Sequence, residues 1–183
     1  MVLLRLRVAV VGAPTSGKTA FVQMVHSNGT TFPKKYLMTM GCDFVIKEVR
    51  VSEGDSVEVT ILDVAGQKLY EQMVPVYLET ANAFIVMYDI SNRSTFEECE
   101  KWVNKLREVR CDLPLLLVAN KSDLMDKSEV SDALAQSFAG SHKMKFFKCS
   151  ALRATGIDEP VETLARQFLE NYENRLELLS QIP

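Results

Sequence analysis

One segment constrains the fold more than any other: the run GAPTSGKT at positions 12–19, which joins an apolar stretch to a predicted helix. The stretch before it, 3–11 (LLRLRVAVV), begins with alternating and ends with continuous apolar residues, as in a strand that enters the centre of a sheet covered on both faces. Apolar residues then recur at helical spacing from Lys18 to about Ser27. In this strand–loop–helix context the pattern GxxxxGK(S/T) predicts a phosphate-binding loop.

The backbone of such a loop turns successive N–H groups toward a phosphate, and the helix N-terminus adds partial positive charge. We predict that Lys18 reaches the β and γ oxygens as a catalytic group and that the Thr19 hydroxyl is placed for Mg²⁺. A glycine turn with an exposed lysine is the alternative, which the context disfavours. The predicted phosphate contacts are Ala13, Pro14, Thr15, Ser16, Gly17, Lys18, Thr19 and Ala20.

Composition limits the kind of protein to which this loop belongs. With 183 residues, 47% hydrophobic and 25% charged, the chain predicts one globular domain spanning 1–183. A net charge of −3 offers no general attraction to nucleic acid or to an anionic membrane, so phosphate binding must be local. The four cysteines form no CxxC pair, and the N-terminal run is too short and too interrupted for a signal peptide or membrane span. We expect a cytoplasmic protein without nucleic-acid partners.

The rest of the chain alternates between strand and helix patterns. Residues 44–51 and 56–62 alternate in polarity around a Glu-Gly-Asp turn, which predicts an antiparallel hairpin. Further strands are predicted at 83–88, 113–118 and 145–148. One helix is predicted between the first two of these strands, a second at about 129–138 and a third at about 158–180. This order predicts an α/β fold with a doubly wound, mostly parallel six-stranded sheet, helices on both faces, and a ligand beyond the carboxyl ends of the strands.

The sequence DVAGQ at 63–67 ends the second strand of the hairpin. Asp63 lies where P-loop proteins place a carboxylate next to Mg²⁺. The N–H of Gly66 is predicted to approach a γ-phosphate, and Gln67 to orient the attacking water as a catalytic residue. Taken alone, this short motif is also typical of an ordinary turn at a strand end.

The sequence NKSD at 120–123 follows the strand predicted at 113–118 and indicates which base is bound. A carboxylate at Asp123 can accept hydrogen bonds from N1–H and the 2-amino group of guanine, whereas adenine offers neither donor and leaves the buried acceptor unpaired. Asn120 either braces loops or meets the purine edge, and the Lys121 stem can cover the ring face. Alone, NKSD is typical of a helix-capping turn, but after a phosphate loop we favour guanine recognition.

Two further segments gain meaning from their order in the chain. Ser150, Ala151 and Leu152 follow the last strand, and the Ala151 N–H is predicted to reach guanine O6. Residues 30–43 form an aperiodic stretch long enough for a functional loop, in which Phe32 is predicted to stack on the base.

Within the same stretch, Thr39 is predicted to bind Mg²⁺ when a γ-phosphate is present. Tyr36 has two interpretations of equal weight: it closes over the phosphates, or it packs as an ordinary loop aromatic.

The ordered set of GxxxxGKT, Thr39, DxxGQ, NKxD and Ser-Ala resembles the Ras superfamily of small GTPases over nearly the whole chain, and the segment YLMTMGCDF at 36–44 resembles its Rab branch. The resemblance implies a fold of this class and binding of GTP or GDP with Mg²⁺, the metal being held by Thr19, Thr39 and Asp63. It also implies effector binding through the switch regions near the γ-phosphate, and slow GTP hydrolysis in the absence of an activating partner.

Four residues depart from the family pattern. Val64, Lys68 and Leu152 replace the usual threonine, glutamate and lysine, changes that concern partner choice more than nucleotide chemistry. Pro14 lacks an N–H and has a fixed φ, so it stiffens the space where Gln67 and an incoming arginine would meet.

The C-terminal region indicates which group of Rab-like proteins the chain resembles. No cysteine follows Cys149, so the prenylation of typical Rab proteins is not expected and membrane attachment would be borrowed. Together with STFEECEKW at 94–102 and Asn-Tyr-Glu at 171–173, this resembles the Rab-like GTPases of intraflagellar transport. The resemblance implies a ciliary or flagellar location and a small β-sandwich partner subunit at the C-terminal helix. The alternative is a helix that packs only on its own sheet.

Two other functional classes compete with a nucleotide-dependent switch. A structural subunit of a transport complex could keep nucleotide as a permanent folding cofactor, which Pro14 and the missing lipid site suggest. A P-loop kinase or ATPase is disfavoured by NKSD and by the absence of an arginine-rich, lid-like insertion.

Overall fold

A computed structural model describes residues 4–110 and 112–181, in which strands and helices alternate along the chain. The strands are β1 Leu4–Val11, β2 Cys42–Arg50, β3 Ser56–Val64, β4 Ala83–Asp89, β5 Leu115–Asn120 and β6 Lys145–Lys148. The α-helices are α1 Lys18–His26, α2 Val74–Glu79, α3 Arg93–Val109, α4 Asp132–Ser141 and α5 Glu159–Ser180. Short 3₁₀ turns occupy Lys68–Tyr70 and Ser122–Lys127.

The six strands form one sheet in the order β2-β3-β1-β4-β5-β6, in which β2 pairs antiparallel with β3 and all other pairs are parallel. Strand β1 lies between β3 and β4, at the point where the strand order reverses. In open α/β sheets, such a reversal leaves a crevice at the carboxyl ends of the strands, and ligands bind in that crevice. The predicted α/β fold is confirmed, and the phosphate loop follows β1 at that position.

Two hydrophobic cores explain why the central strands are continuously apolar. Alternate side chains of β1 enter different cores: Val8 and Val10 pack toward α1 and α5, whereas Ala9 and Val11 pack toward α2, α3 and α4. Because successive residues of a strand point to opposite faces, a sheet covered on both sides needs an apolar residue at every position.

Local chemistry moves some element boundaries from their predicted places. Strand β5 begins at Leu115 rather than two residues earlier, because Pro114 has no N–H for the ladder, although its carbonyl accepts a bond from Phe84 N at 2.9 Å. Helix α4 begins at Asp132 rather than at about 129, and the Ser131 side chain caps it by accepting a bond from Leu134 N at 3.3 Å.

The short helix α2 was missing from the predicted elements because its six residues are too few for a clear apolar period. Val74 at its start is buried, while Met73 and Val76 beside it are exposed. Strand β2 is also longer than predicted, since it begins at Cys42.

Helix α5 has two unlike halves. In its first half Val161, Leu164 and Ala165 are buried against the sheet, but Leu176 and Leu179, on the same apolar stripe, are exposed. At 22 residues α5 has the length of a membrane span, yet none of the described helices combines that length with enough apolar residues to cross one. The last turns of α5 therefore carry an apolar stripe beyond the core on which the first turns pack.

Candidate nucleotide site

The phosphate loop leaves the start of α1 open to an anion. Lys18 is buried, and its Nζ donates to the carbonyl oxygens of Gly12 at 2.9 Å and Ala13 at 2.8 Å, which folds the loop around the ammonium group. Gly17 precedes the helix with φ 92° and no side-chain hydrogen bond caps it. The first N–H groups of α1 thus have no side chain in the position where a phosphate would accept from them.

Three side chains from distant parts of the chain meet beside this loop. Thr19 Oγ1 donates to Asp63 Oδ2 at 2.6 Å, Thr39 Oγ1 donates to the same oxygen at 3.1 Å, and the two hydroxyl oxygens lie 2.9 Å apart. Asp63 is buried, and its other oxygen, Oδ1, has no hydrogen-bond partner in the described structure. The cluster joins α1, the 30–43 loop and β3 at one point.

Burial shifts both charged groups toward their neutral forms. Desolvation lowers the pKa of Lys18 to about 8, against the opposing effects of Asp63 and Glu98. Desolvation likewise raises the pKa of Asp63, although hydrogen bonds from Thr19 and Thr39 and the charge of Lys18 oppose the rise. The site therefore favours an added anion at the lysine and an added cation at the carboxylate.

The donor set fits a magnesium ion that is also bound to phosphate. Thr19, Thr39 and Asp63 offer two hydroxyl oxygens and a carboxylate with an unpaired oxygen, all hard ligands of the kind Mg²⁺ prefers. In 4–110 and 112–181 no three or more His, Cys, Asp or Glu side chains cluster to hold a metal by themselves. Mg²⁺ typically completes its shell with waters and substrate phosphates, so one protein carboxylate is sufficient.

A cavity of about 610 Å³ lies over the loop and contains most of the predicted phosphate-side residues. Its walls come from the loop and α1, the whole segment 32–39, residues 65–67 and Lys121. Phe32 and Tyr36 both line it, and both remain exposed. The predicted residues in its lining are Pro14, Thr15, Gly17, Lys18, Thr19, Ala20, Phe32, Tyr36, Thr39, Gly66, Gln67 and Lys121.

Gly66 approaches the loop so closely that no other residue fits. A Cβ at this position would lie 2.3 Å from Gly12 O and 2.8 Å from Lys18 Nζ. Gln67 and Pro14 line both the nucleotide cavity and the groove next to it, so the proline does share its space with the glutamine.

Asn120 links the phosphate loop to the last loop of the site. Its Nδ2 donates to Ser16 O at 3.0 Å, and its Oδ1 accepts from Ala151 N at 3.2 Å. Of the two roles considered for Asn120, the structure has it bracing loops. The Ala151 N–H, which we predicted for guanine O6, is directed to Asn120 instead.

The predicted base-reading carboxylate lies in the same loop cluster. Asp123 Oδ1 accepts a short hydrogen bond from the Ser150 hydroxyl, whose oxygen accepts from Arg153 N at 3.1 Å. This leaves Asp123 Oδ2 for a ligand. Leu152 is 60% exposed and outside the lining of the cavity, so its side chain is not among the residues brought together here.

Asp89 contacts the predicted site residue Lys121, and the sequence analysis did not identify it. It is buried at the end of β4, and its Oδ2 accepts from Lys121 Nζ at 2.6 Å, while Oδ1 accepts from the N–H and hydroxyl of Ser91 at 2.9 and 2.7 Å. The parallel register places Asp89 beside Asn120, the residue before Lys121. The sequence feature that could have identified Asp89 is an acidic residue at the end of β4, the strand next to β5.

Comparison with known proteins excludes one of the competing functional classes, the P-loop kinase or ATPase. A model described as the Ras family matches residues 7–170. The chain belongs to the Ras family. It is therefore a small GTPase, from a family whose members bind GTP or GDP with Mg²⁺, and not a P-loop kinase.

Relatives place this Ras-family chain in the Rab-like branch. It is 57% identical over 182 residues to the intraflagellar transport protein 27 homolog of Trypanosoma brucei brucei, with 100% of both chains covered. It is 38% identical over 181 residues to the homolog of Mus musculus, with 97% of each covered. Against GTP-binding protein YPT1 of Saccharomyces cerevisiae the identity is 31% over 166 residues, or 90% of this chain and 79% of that protein. The predicted resemblance to Rab-like GTPases, including those of intraflagellar transport, is confirmed.

We predict that Asp89→Asn lowers the affinity for guanine nucleotides about tenfold, because the ion pair that fixes Lys121 at the cavity is replaced by a weaker hydrogen bond from the ammonium to an uncharged amide. The preference for GTP over ITP, which lacks the 2-amino group, should not change, since Asp123 is untouched. Fluorescence titration measures both quantities, with Asp126→Asn, an exposed carboxylate, as the control. A collapsed GTP-to-ITP ratio, or no difference from the control, would contradict a positioning role.

Proposed function

We propose that this Ras-family chain is one G domain spanning 1–183 that binds GTP and GDP with Mg²⁺ and changes conformation with the γ-phosphate. The observation that carries the proposal is the meeting of Thr19, Thr39 and Asp63 beside the Lys18 ammonium. Thr39 belongs to the 30–43 loop, so a ligand that engages its hydroxyl also fixes the loop over the cavity. The segments 32–39 and 65–73 act as the switch regions to which effectors bind.

In this proposal each part of the chain has a distinct role. The N–H groups at the start of α1 and Lys18 hold the phosphates, and Asp123 accepts from the guanine edge while Lys121 covers the ring. Thr19, Thr39 and Asp63 would hold Mg²⁺, which when bound offsets negative charge on the β and γ oxygens. Gln67 orients the water that attacks the γ-phosphate.

We further propose that hydrolysis is slow without a partner. No arginine is among the described residues that line the cavity, and a partner's arginine is worth about 10³ to 10⁵ in rate in this class of enzyme. Pro14 lines the cavity beside Gln67, where it restricts the approach of such a group.

We expect Asp123→Asn to reduce GTP affinity at least ~100-fold and to favour XTP, because an amide donates where guanine needs an acceptor. Calorimetric titration with GTP, XTP and ATP in Mg²⁺ measures the change, with Asp126→Asn as the control. Extraction of nucleotide from the purified wild type should yield GTP or GDP. A wild type that binds neither at micromolar concentration, or a variant with unchanged base preference, would refute the proposed function.

The alternative is a structural subunit that keeps its nucleotide and does not cycle. Single-turnover hydrolysis separates the two: for a cycling enzyme we expect Gln67→Leu to slow GTP cleavage at least ~10-fold, since leucine cannot orient water. Gln72→Leu, a change of an exposed glutamine nearby, should leave the rate unaltered. If wild type and Gln67→Leu release no phosphate and exchange no nucleotide within hours, the structural role is favoured.

We propose that the chain acts in intraflagellar transport, in the cytoplasm and the cilium or flagellum. Support comes from the name of the Trypanosoma brucei brucei relative and from its identity over the full length of both chains. The partner expected from the resemblance is a small β-sandwich subunit. The exposed stripe of Leu176 and Leu179 on α5 is the surface we propose for it.

The double variant Leu176→Asp and Leu179→Asp should lose the β-sandwich subunit on co-expression and size-exclusion chromatography, because charge on the stripe prevents its burial. Nucleotide affinity should stay at the wild-type value. Leu178→Asp, exposed but off the stripe, is the matched control. Co-elution of the subunit with the double variant would exclude this surface as the docking site.

A further inference from the structure

Segment 32–39 forms one wall of the nucleotide cavity. All eight of its residues line the cavity. At its C-terminal end Thr39 is fixed by its hydroxyl contacts with Thr19 and Asp63, at 2.9 and 3.1 Å. The residues between Phe32 and Thr39 therefore border the cavity on a segment that is anchored at its C-terminal end.

The lining of this cavity is strongly cationic in a chain whose net charge is −3. Four lysines line it, Lys18, Lys34, Lys35 and Lys121, and no aspartate or glutamate is among the described lining residues. One carboxylate, that of Asp63, lies behind the lining residues Thr19 and Thr39, so the cavity region carries an excess of positive charge. Such an excess attracts anions.

The four lysines differ in the hydrogen-bond and ion-pair partners that their ammonium groups have within the protein. Lys121 is paired with the buried Asp89 at 2.6 Å, and Lys18 donates to two loop carbonyls. Lys34 and Lys35 are exposed, and within the described structure neither makes an ion pair or hydrogen bond. Their charges are free for a ligand, and neither residue belongs to the phosphate loop or to the metal cluster.

We propose that Lys34 and Lys35 bind the solvent-facing side of the phosphate chain and select the triphosphate over the diphosphate. The inference rests on the proposed function, because it needs a nucleotide in the cavity. The γ-phosphate adds negative charge on the side of the cavity that segment 32–39 closes, so the two cations stabilise the triphosphate complex more than the diphosphate complex. One exposed lysine acting on one phosphate charge through partly wet space is worth about a threefold to tenfold change in affinity.

The test compares a double variant, Lys34→Ala with Lys35→Ala, to the wild type and to Lys145→Ala, an exposed lysine on β6 outside the cavity lining. Dissociation constants for a fluorescent GDP and for a non-hydrolysable GTP analogue are measured between 50 and 500 mM salt. We expect the ratio of the GDP constant to the GTP-analogue constant to fall about tenfold in the double variant, and the salt dependence of analogue binding to weaken. Lys145→Ala should match the wild type, and the double change to arginine should restore the ratio.

An unchanged ratio with unchanged salt dependence, or an equal loss for both nucleotides, would overturn the inference. In either case, binding by the wild type would leave the proposed function intact. A wild type that binds neither nucleotide would refute the proposed function itself, so the two failures are distinguishable.

Discussion

Two charged side chains, Lys18 and Asp63, are kept out of water at the carboxyl edge of the sheet, and the rest of the site is arranged around that constraint. Burying a charge is costly unless other groups compensate it. Loop carbonyls compensate the ammonium, and the hydroxyls of Thr19 and Thr39 compensate one oxygen of the carboxylate. The second oxygen of Asp63 has no hydrogen-bond partner in the described structure, and a bound cation would compensate it.

The fold supplies the positions that this arrangement needs. Lys18 and Thr19 open the helix after β1, Asp63 lies near the end of β3, and these two strands pair in parallel. Parallel strands that end at one edge bring residues far apart in sequence together, here with the helix start that follows β1. Thr39 is different, because it arrives on a loop rather than on an element.

Sequence analysis placed best the residues whose position in the fold depends on their neighbours in the chain. The phosphate loop is local, and the apolar periods of β1, β4 and β5 are long enough to indicate buried strands. Asp123 and Ser150 could be named from motif order, and the structure brings them into a hydrogen bond.

What sequence could not provide depends on packing between distant segments. Helix α2 has six residues, fewer than two turns, so its sequence shows no clear apolar period. Its buried side is determined by the elements on which it packs. The ion pair of Asp89 with Lys121 depends on which strands are neighbours. The Ala151 N–H donates to Asn120, and the spacing of residues in the chain does not determine which acceptor this N–H meets.

The amide of Asn120 has a thermodynamic consequence for the molecule. It holds the main chain of the phosphate loop with one atom and that of the last loop with the other. A ligand that shifts one loop would therefore act on the other through the hydrogen bonds of this one side chain. Coupled binding free energies are reciprocal. In a nucleotide complex, any gain in phosphate binding caused by the occupied base loop would be matched by an equal gain in base binding caused by the occupied phosphate loop.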